Sequence, residues 1–396
     1  MKRAAITLAL FTLGACNSDS ATAPVSDNAA SSLARSDNRS GDNRDTDDDE
    51  RGDQKTGVVF ILSNQTTGNA VLAYNRHADG TLTAAGSVPT NGTGTGAGLG
   101  SAGALAYSPD GKLLFVVNAG SNSITSFRVH DDQLTRVSTM ASGGIKPISL
   151  TANNDGMVYV LNAGGTGNIA GLHYSNNGTL STLAGSSRAL STGASDPAQI
   201  SFTEDGNRLI VTEKGTNVIG TFYVTNHGFV TPGQFRVSSG ATPFGFAVSG
   251  DDIIVSEAFG GAADASAVSS YRVGFFGTVA TISASVPTTE TSACWIAVTS
   301  NGKLAFSANT GSGTVTAFDV GRFGNLSRIP PDGVSATTGA GSAPADLAVS
   351  QNNRYLYVRN GGNRTISAIR VHANGTLTVL GITGDLPAGT VGLVAN

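Results

Sequence analysis

The sequence predicts an all-β fold: a seven-bladed β-propeller with four strands in each blade. Three observations support this. A short aliphatic strand recurs roughly every fifty residues and ends on the same residue type. Asp-Gly or Asn-Gly precedes most of these strands, and such dipeptides suit hairpin turns that need positive φ. No helical periodicity is visible in residues 57–396. Four-stranded units repeated at this spacing are typical of propeller blades.

Each repeat divides into strands a to d. Strand a is apolar and rich in small residues, and the tight turn after it leads into strand b, an aliphatic run. Strand c carries one aromatic or aliphatic anchor, and a turn such as Gly80-Thr81-Leu82 opens strand d. The seven ends of strand b, here called the Asn column, are Asn64, Asn118, Asn162, Glu213, Glu257, Asn309 and Asn360.

The first repeat lacks its own strand a, because the chain enters at Gly57 directly into strand b. Residues 390–396 form a lone apolar segment at the other end of the domain. We therefore expect this segment to supply the missing inner strand of blade 1. Such closure leaves no open sheet edge between the first and last repeats.

Composition excludes some partners. Charged residues are 13% of the chain, glycine accounts for 52 of 396 residues, and the formal net charge is -4. This balance offers no basic patch for nucleic acid, so we expect no nucleic-acid partner. Residues 57–396 are enough for a large core, and we expect a monomer.

The first fifteen residues predict a secretion signal. Lys2 and Arg3 are followed by an apolar run, residues 4–13, that is too short to span a bilayer as a helix. The tetrad Leu13-Gly14-Ala15-Cys16 resembles a bacterial lipoprotein cleavage box, in which the cysteine is lipidated. The alternative is an ordinary signal peptide that happens to hold a cysteine. The first interpretation predicts an extracytoplasmic lipoprotein of the outer membrane or cell surface, with the lipid as its only membrane attachment.

Residues 16–56 predict a disordered acidic tether, since they contain no aromatic residue and few branched aliphatic ones. The acidic run 45–50 has a passing likeness to a calcium loop but lacks the required glycine. If Cys16 carries lipid, no disulfide is available within the chain, because Cys294 is the only other cysteine. We therefore expect Cys294 to be a buried, inert thiol.

The strand ends, the Ser108-Pro109-Asp110-Gly111 turn and the blade count resemble the YVTN-type seven-bladed propellers. In particular, residues 57–396 resemble the lactonase family that includes 6-phosphogluconolactonase and carboxymuconate-cyclising enzymes. The resemblance implies a ligand site at one mouth of the central channel, where the d-to-a and b-to-c connections lie. It also implies a Pro-His start on some inner strands, whereas this chain reads Pro147-Ile148-Ser149 and Pro197-Ala198-Gln199.

The two glutamates in the Asn column are the candidate catalytic residues. Asparagine can both donate and accept hydrogen bonds, whereas an ionised glutamate only accepts. Two carboxylates brought close at the mouth can serve as acid and base, because each raises the pKa of the other. They can equally hold a divalent cation, and no other cofactor is evident. The structural alternative is that Glu213 and Glu257 each pair with local groups.

The remaining mouth candidates lie near the starts of inner strands or the ends of strand b. Trp295 can stack on a ligand or fill a gap between blades. Two long connections at the mouth, residues 91–103 and 259–265, can be lids or simply flexible. We expect the histidines to lie away from the mouth: His77, His130, His173, His227 and His372. The predicted ligand-binding residues are Lys146, Asp196, Lys214, Phe244, Trp295, Asp346 and Arg359.

Two functions remain open at this point. One is a non-catalytic binding or scaffold module at the cell envelope, whose partner is an envelope polymer or protein. The other is a lactone-type hydrolase that acts on a small-molecule lactone with carboxylates at the channel mouth. The fold alone does not choose between them, because one fold hosts many functions.

Overall fold

The computed structural model describes Cys16 and residues 55–396, and these form a closed ring of seven sheets. The predicted signal peptide and most of the predicted tether lie outside the described residues. Within Cys16 and residues 55–396, no helix has the length and apolarity needed to cross a membrane. The only described helical turn is a short 3-10 helix, Phe259–Gly261.

Every sheet is antiparallel, and its strands follow the predicted order from the channel outwards. Blade 1 contains β1 Lys55–Leu62, β2 Ala70–His77 and β3 Leu82–Pro89. Blade 2 contains β4 Leu105–Tyr107, β5 Leu113–Asn118, β6 Ser123–His130 and β7 Gln133–Ala141. Blade 3 contains β8 Pro147–Ala152, β9 Met157–Asn162, β10 Asn168–Tyr174, β11 Leu180–Thr182 and β12 Arg188–Ala189. Blade 4 contains β13 Pro197–Phe202, β14 Arg208–Glu213, β15 Val218–Tyr223 and β16 Gln234–Val237. Blade 5 contains β17 Pro243–Ser249, β18 Asp252–Glu257, β19 Ala267–Val273 and β20 Val279–Pro287. Blade 6 contains β21 Ala293–Val298, β22 Leu304–Asn309, β23 Thr314–Val320, β24 Leu326–Arg328 and β25 Ala336–Thr337. Blade 7 contains β26 Pro344–Val349, β27 Tyr355–Asn360, β28 Thr365–Val371 and β29 Leu377–Thr383.

The predicted closure is confirmed. The last strand, β30 Val391–Ala395, pairs antiparallel with β1 and is the inner strand of blade 1. Asn396 extends the closure, since its side-chain oxygen accepts the Val58 N–H at 2.6 Å and its backbone oxygen accepts from Arg76 at 3.2 Å. Arg76 is 4% exposed, so this junction is a buried part of the ring.

Two differences from the sequence prediction are local. Strand β1 ends at Leu62, and Asn64 lies beyond it with a φ of +53°, so the Asn column leaves the sheet in blade 1. The outer edges of blades 3 and 6 are each split into two short strands, because the chain leaves the sheet between β11 and β12 and between β24 and β25.

The turns between strands a and b explain why the repeat keeps its spacing. In blade 2 the Ser108 hydroxyl donates to the Asp110 carboxylate at 2.6 Å, and the same carboxylate accepts the Lys112 N–H at 3.1 Å. Gly111 follows with a φ of +71°, a conformation that glycine adopts without steric cost. The Ser/Thr-x-Asp/Asn pattern is therefore a self-capped hairpin turn.

Candidate functional site

The channel mouth is built by a repeated distortion at the start of the inner strands. The residue before the strand has a left-handed φ in five blades, and a β-bulge follows in each of them. A bulge redirects side chains at the edge of a sheet. The five residues and their φ angles are Lys146 (56°), Asp196 (40°), Thr242 (58°), Ser292 (60°) and Ala343 (44°).

Small side chains follow this distortion and pack into one cluster drawn from several blades. Ala198, Cys294 and Ala345 are each at most 1% exposed, and they belong to the same apolar cluster. The inner strands of neighbouring blades contact one another around the whole ring. The narrow end of the channel at the mouth is thus filled by small and apolar groups.

A long connection crosses this mouth. Residues 91–103, which we call the strap, lead from blade 1 to blade 2. The Ala102 N–H donates to the Ala198 carbonyl of blade 4 at 3.1 Å, and the Trp295 indole N–H of blade 6 donates to the Ser101 carbonyl at 3.1 Å. Neither blade is a neighbour of blade 2 in the ring, so the strap spans the channel.

Trp295 lies under the strap rather than at a free surface. It is 3% exposed and packs edge-on against Phe244, with ring centroids 4.9 Å apart. Phe244 is fully buried. The geometry favours the gap-filling interpretation of Trp295, and it makes both aromatic rings part of the channel filling.

Glu213 is a buried acceptor at the end of β14. It is 0% exposed, and its two carboxylate oxygens accept hydrogen bonds from neighbouring connections. The Ser191 N–H donates at 3.0 Å, the Thr216 hydroxyl donates at 2.8 Å, and the Ser191 hydroxyl also donates. Ser191 belongs to the connection that enters blade 4, so the carboxylate ties that connection to the end of strand b.

Glu257 occupies the same position in blade 5 and has even more partners. It is 0% exposed. One oxygen accepts the Gly240 N–H at 2.8 Å and the Ser269 hydroxyl at 2.6 Å, while the other accepts the Ser285 hydroxyl at 2.7 Å. Ser238 and Tyr271 hydroxyls approach the first oxygen at 3.2 and 3.3 Å.

The asparagines of the Asn column also hydrogen-bond to neighbouring strands and connections, through a side-chain amide. Asn118 donates to the Ser123 and Thr125 hydroxyls of β6 and accepts from Thr90 in the connection before its blade. Glu213 and Glu257 therefore replace an amide by a carboxylate where the surrounding hydroxyls and N–H groups all donate. The residues that donate hydrogen bonds to Glu213 are all different from those that donate to Glu257. The geometry favours the structural alternative, and the catalytic role of the pair stays a prediction.

Lys214, Asp196 and Lys146 form a charged group at the rim of the mouth. The Lys214 ammonium lies 2.9 Å from the Asp196 carboxylate and donates to the Asp196 and Pro197 carbonyls at 3.2 Å. It also sits 5.6 Å from the centroid of the Phe244 ring. Burial lowers the pKa of Lys214, the charge of Lys146 adds to this effect, and Asp196 opposes it.

Lys214 therefore holds the turn before β13 in place through its side-chain ammonium. An ammonium has three N–H donors, and the three oxygens around it match that number at the left-handed turn before β13. The Lys214 side chain is 10% exposed, whereas that of Asp196 is 47% exposed and Lys146 is also exposed. Asp196 and Lys146 are the predicted ligand-binding residues that solvent reaches.

Asp346 and Arg359 lie in the wall of blade 7, close enough for the charge of Arg359 to act on the Asp346 carboxyl. Asp346 is 6% exposed, and its carboxylate accepts the Leu347 N–H at 2.9 Å. Arg359 is 3% exposed and donates to the Ala345 carbonyl. Burial raises the pKa of Asp346 to about 7, while the Arg359 guanidinium and the Leu347 N–H oppose that rise.

The structure corrects the prediction for Cys294, which is not a free thiol. Cys294 forms a disulfide with Cys16, and Cys16 is 6% exposed within the apolar cluster that contains Phe244 and Trp295. The sequence allowed this pairing alone, since the chain has two cysteines, but the lipidation prediction assigned the Cys16 sulfur to a lipid instead. A lipid thioether on Cys16 needs the same sulfur, so the disulfide and the predicted lipidation are mutually exclusive. Lipidation stays a prediction.

The histidines lie where the sequence predicted, on strand c or in the turns after it. His77 and His372 each contact a threonine of the next strand at 2.9 Å, and His130 lies 3.4 Å from Asp131. His227 is exposed in its turn, and His173 lies within β10. Among the described residues, no group of three or more His, Cys, Asp or Glu side chains is placed to hold a metal ion.

Comparison with known proteins agrees with the fold. Residues 54–170 match the family model described as lactonase, 7-bladed beta-propeller, and no curated protein sequence matches the chain. Three solved structures are similar, and all share less than a quarter of their residues with this chain. They are a putative 6-phosphogluconolactonase from Bacteroides fragilis (20% identity, 90% of this chain and 100% of that one, TM-score 0.65), a protein from Lactobacillus plantarum (16%, 86% and 100%, 0.68) and the periplasmic gluconolactonase of Pseudomonas aeruginosa (17%, 85% and 99%, 0.64).

The predicted resemblance to lactonase-type seven-bladed propellers is confirmed by this match and by the seven sheets. At these identities the solved structures establish the fold. They do not carry an activity to this chain.

Proposed function

We propose that this lactonase-like propeller is an exported, non-catalytic binding module of the cell envelope. The observation that carries the proposal is the burial of Glu213 and Glu257. Each carboxylate is fully buried and is surrounded by hydrogen-bond donors of its own blade and the preceding connection. A general acid or base must reach a substrate proton directly or through one water, and these two side chains face internal hydroxyls instead.

The covered channel mouth supports the same proposal. The strap, Trp295 and the disulfide occupy the centre of the mouth, so a ligand meets the rim. Asp196 and Lys146 offer one charge of each sign there. Such a rim suits a polymer or protein of the envelope that carries both charged and polar groups, and it needs no reaction.

Export is supported by two independent features. The first fifteen residues have the pattern of a secretion signal. The Cys16–Cys294 disulfide also fits an oxidising compartment outside the cytoplasm. Intact mass of the exported protein distinguishes the two fates of Cys16. An acylated N-terminal cysteine requires a free Cys294 thiol, and a disulfide requires an unmodified Cys16.

The test of the binding proposal uses the full chain produced with its signal. Acid release from a panel of sugar and acyl lactones is followed at constant pH, with and without chelator. Binding of envelope polymers is measured in parallel by calorimetry. We expect no turnover above the buffer rate, and we expect binding that the double variant Lys146→Ala, Asp196→Ala weakens. The matched control is Arg272→Ala, Asp252→Ala, a charged pair of blade 5 that lies away from the mouth.

Lactone hydrolysis is the second candidate, and Asp346 is the observation that favours it. A pKa of about 7 suits a general base at neutral pH, and the nearby Arg359 can stabilise developing negative charge. Because Asp346 is 6% exposed, this candidate also requires the wall of blade 7 to open before a substrate reaches the carboxylate. Turnover that Asp346→Asn abolishes and that Glu213→Gln, Glu257→Gln leaves unchanged would establish this candidate in place of the binding module. Turnover lost in the double glutamate variant, with folding intact, would instead assign catalysis to the Asn column.

A further inference from the structure

Six blades connect strands c and d through the same five-residue turn. The first residue donates its N–H to the carbonyl of the fifth, and a glycine at the fourth place donates back to the first. In blade 1 these bonds are His77 to Thr81 and Gly80 to His77, both at 3.0 Å. In blade 5 they are Gly274 to Thr278 at 2.7 Å and Gly277 to Gly274 at 2.9 Å. The backbone of the turn is thus constant while its side chains vary.

The residue before the glycine has a clear local role in three of these turns. Asp79, Asn177 and Asn374 each accept the backbone N–H two residues ahead, at 2.8, 3.1 and 3.1 Å. This side-chain bond is an Asx-turn, and it is the reason why Asp and Asn are favoured in such positions. Folding of the turn alone therefore favours Asp or Asn here.

Blades 5 and 6 place phenylalanine at this position and lose the side-chain bond. Phe276 is 79% exposed and Phe323 is 67% exposed. Phe275, next to Phe276, is 71% exposed, and Phe229 in the turn of blade 4 is 57% exposed. Phe276 and Phe323 thus cost their turns a hydrogen bond, whereas Phe275 and Phe229 occupy other places in the same kind of turn. All four rings are largely exposed on the turns of three consecutive blades, and exposed apolar groups on one face of a protein mark an interaction site.

We propose that these four phenylalanines, the aromatic rim, dock the propeller on the surface of a zwitterionic phospholipid bilayer. The turns between strands c and d all leave their sheets on the same side of the ring, opposite the channel mouth. The rings project from the turns of three consecutive blades, as their large exposed fractions show. Such projections can enter the soft interfacial layer of a bilayer, where apolar side chains are buried among headgroups and acyl chains.

The charges beside the aromatic rim match such headgroups. Arg322 lies 5.5 Å from the centroid of the Phe323 ring, and Arg272 and Lys303 are also exposed. Asp251 and Asp319 are exposed nearby in the same two blades. Phosphatidylethanolamine and phosphatidylcholine carry one charge of each sign, so a border of mixed sign fits them. Arg272 is paired with Asp252 at 2.7 Å, which leaves two basic and two acidic side chains in this border, so an anionic surface gains no net attraction from it.

The proposal goes beyond the binding module and does not depend on a lipid at Cys16. The test is flotation of the full chain with vesicles. The protein is produced with its signal and purified from the exported fraction, and intact mass selects the chain that has lost the apolar signal segment and carries no acyl group on Cys16. Vesicles contain either equal parts phosphatidylethanolamine and phosphatidylcholine or phosphatidylcholine with about a third phosphatidylglycerol. We expect flotation with the first mixture and no gain from the anionic lipid.

The repeat supplies its own variants. Phe276→Asn with Phe323→Asn gives blades 5 and 6 the residue that blades 3 and 7 already carry, so the turns gain a side-chain bond and Tm stays equal or rises. We expect the vesicle partition coefficient of this double variant to fall at least about tenfold, because two buried rings are removed from the interface. The matched control, Asn177→Ala with Asn374→Ala, weakens two other turns and leaves the rim intact. It should lower Tm and float like the native chain.

Three results would overturn the proposal. The native chain would fail to float with either mixture, or the two phenylalanine substitutions would leave flotation unchanged. Sedimentation could also reveal a dimer that only the phenylalanine substitutions dissociate, and this would assign the rim to a second copy of the chain.

Discussion

Replacing Glu257 by glutamine separates a structural carboxylate from a catalytic one. Glutamine has nearly the same shape, so the change removes a charge and exchanges one acceptor oxygen for an N–H2 group. In the structure, three donors lie within 2.8 Å of the carboxylate: the Gly240 N–H and the Ser269 and Ser285 hydroxyls. A buried site made for an acceptor becomes partly a site where donors face each other.

The magnitude follows from these three contacts. A hydrogen bond to a charged group contributes about 1.5–3 kcal/mol, against about 1 kcal/mol for a neutral one. Loss of about 1 kcal/mol at each of the three close contacts gives about 3 kcal/mol for Glu257→Gln, reduced where a hydroxyl turns to accept. Because Glu257 is fully buried, solvent offers no replacement for the lost bonds.

The single tryptophan provides the assay. Trp295 is 3% exposed and packs on Phe244 in the neighbouring blade, so its fluorescence reports unfolding in urea. Glu204→Gln is the matched control, because this exposed glutamate accepts one backbone N–H, that of Gly250, at 2.7 Å. Its effect should stay within about 0.5 kcal/mol. If both variants unfold at the same urea concentration, Glu257 does not hold its blade together. Lost ligand binding or turnover at an unchanged midpoint would then identify a functional carboxylate.

Three further predictions concern the channel wall, the ring closure and the strap. Burial raises the pKa of Asp346 from 3.8 to about 7, so its contribution to stability is fully present below pH 3.8 and is lost as the pH rises through 7. Between pH 4 and pH 8, the free energy of unfolding of the native chain should fall by up to about 4 kcal/mol relative to that of Asp346→Asn. Urea midpoints that change in parallel for the two proteins over this pH range would contradict the prediction. Deleting residues 388–396 removes β30 and leaves three strands in blade 1, so proteolysis should become rapid and the cooperative melting transition should disappear, whereas an unchanged Tm would refute the closure. Trp295→Phe keeps a ring beside Phe244 but leaves the Ser101 carbonyl without its donor, which should cost about 1–2 kcal/mol. Hydrogen exchange at Ala102 should quicken, and equal protection in both proteins would mean that the indole does not hold the strap.

The sequence predicted the blades because blade structure is local. A Ser-Pro-Asp-Gly turn, an aliphatic strand and an asparagine at its end are determined by contacts within about thirty residues, as the Ser108–Asp110 and Asn118–Ser123 bonds illustrate. The ring closure was also predictable, since a repeat without its first strand and an apolar segment at the other end are visible as a mismatch. The periodicity of the sequence and the need to pair every strand edge were enough to predict these parts of the fold.

The centre of the mouth was not predictable in this way. The Trp295–Ser101 and Cys16–Cys294 contacts join parts of the chain separated by 194 and 278 residues, and no repeat records them. Exposure was equally hidden. Lys214 and Asp196 were both predicted to meet a ligand, but the lysine is turned inwards by three oxygens while the aspartate remains in solvent. Which of two adjacent charges faces water depends on backbone direction at the bulge, and the residue types do not encode it visibly.

Departures from the repeat fall into two kinds, and the distinction helps to assign function. Glu213 and Glu257 depart from asparagine, but each new carboxylate gains donors that satisfy it. Such a departure is compensated inside the fold and needs no ligand to explain it. Phe276 and Phe323 depart from Asp or Asn, lose the turn bond and remain largely exposed, and they gain ring contacts at the surface with Phe275 and Arg322. These surface contacts do not require a ring at the Asx position, so we infer that the benefit of the two phenylalanines lies outside the chain. In a protein built from near-equal repeats, equivalent positions thus act as internal controls, and here they direct attention from the carboxylates of the mouth to the aromatic turns on the opposite face.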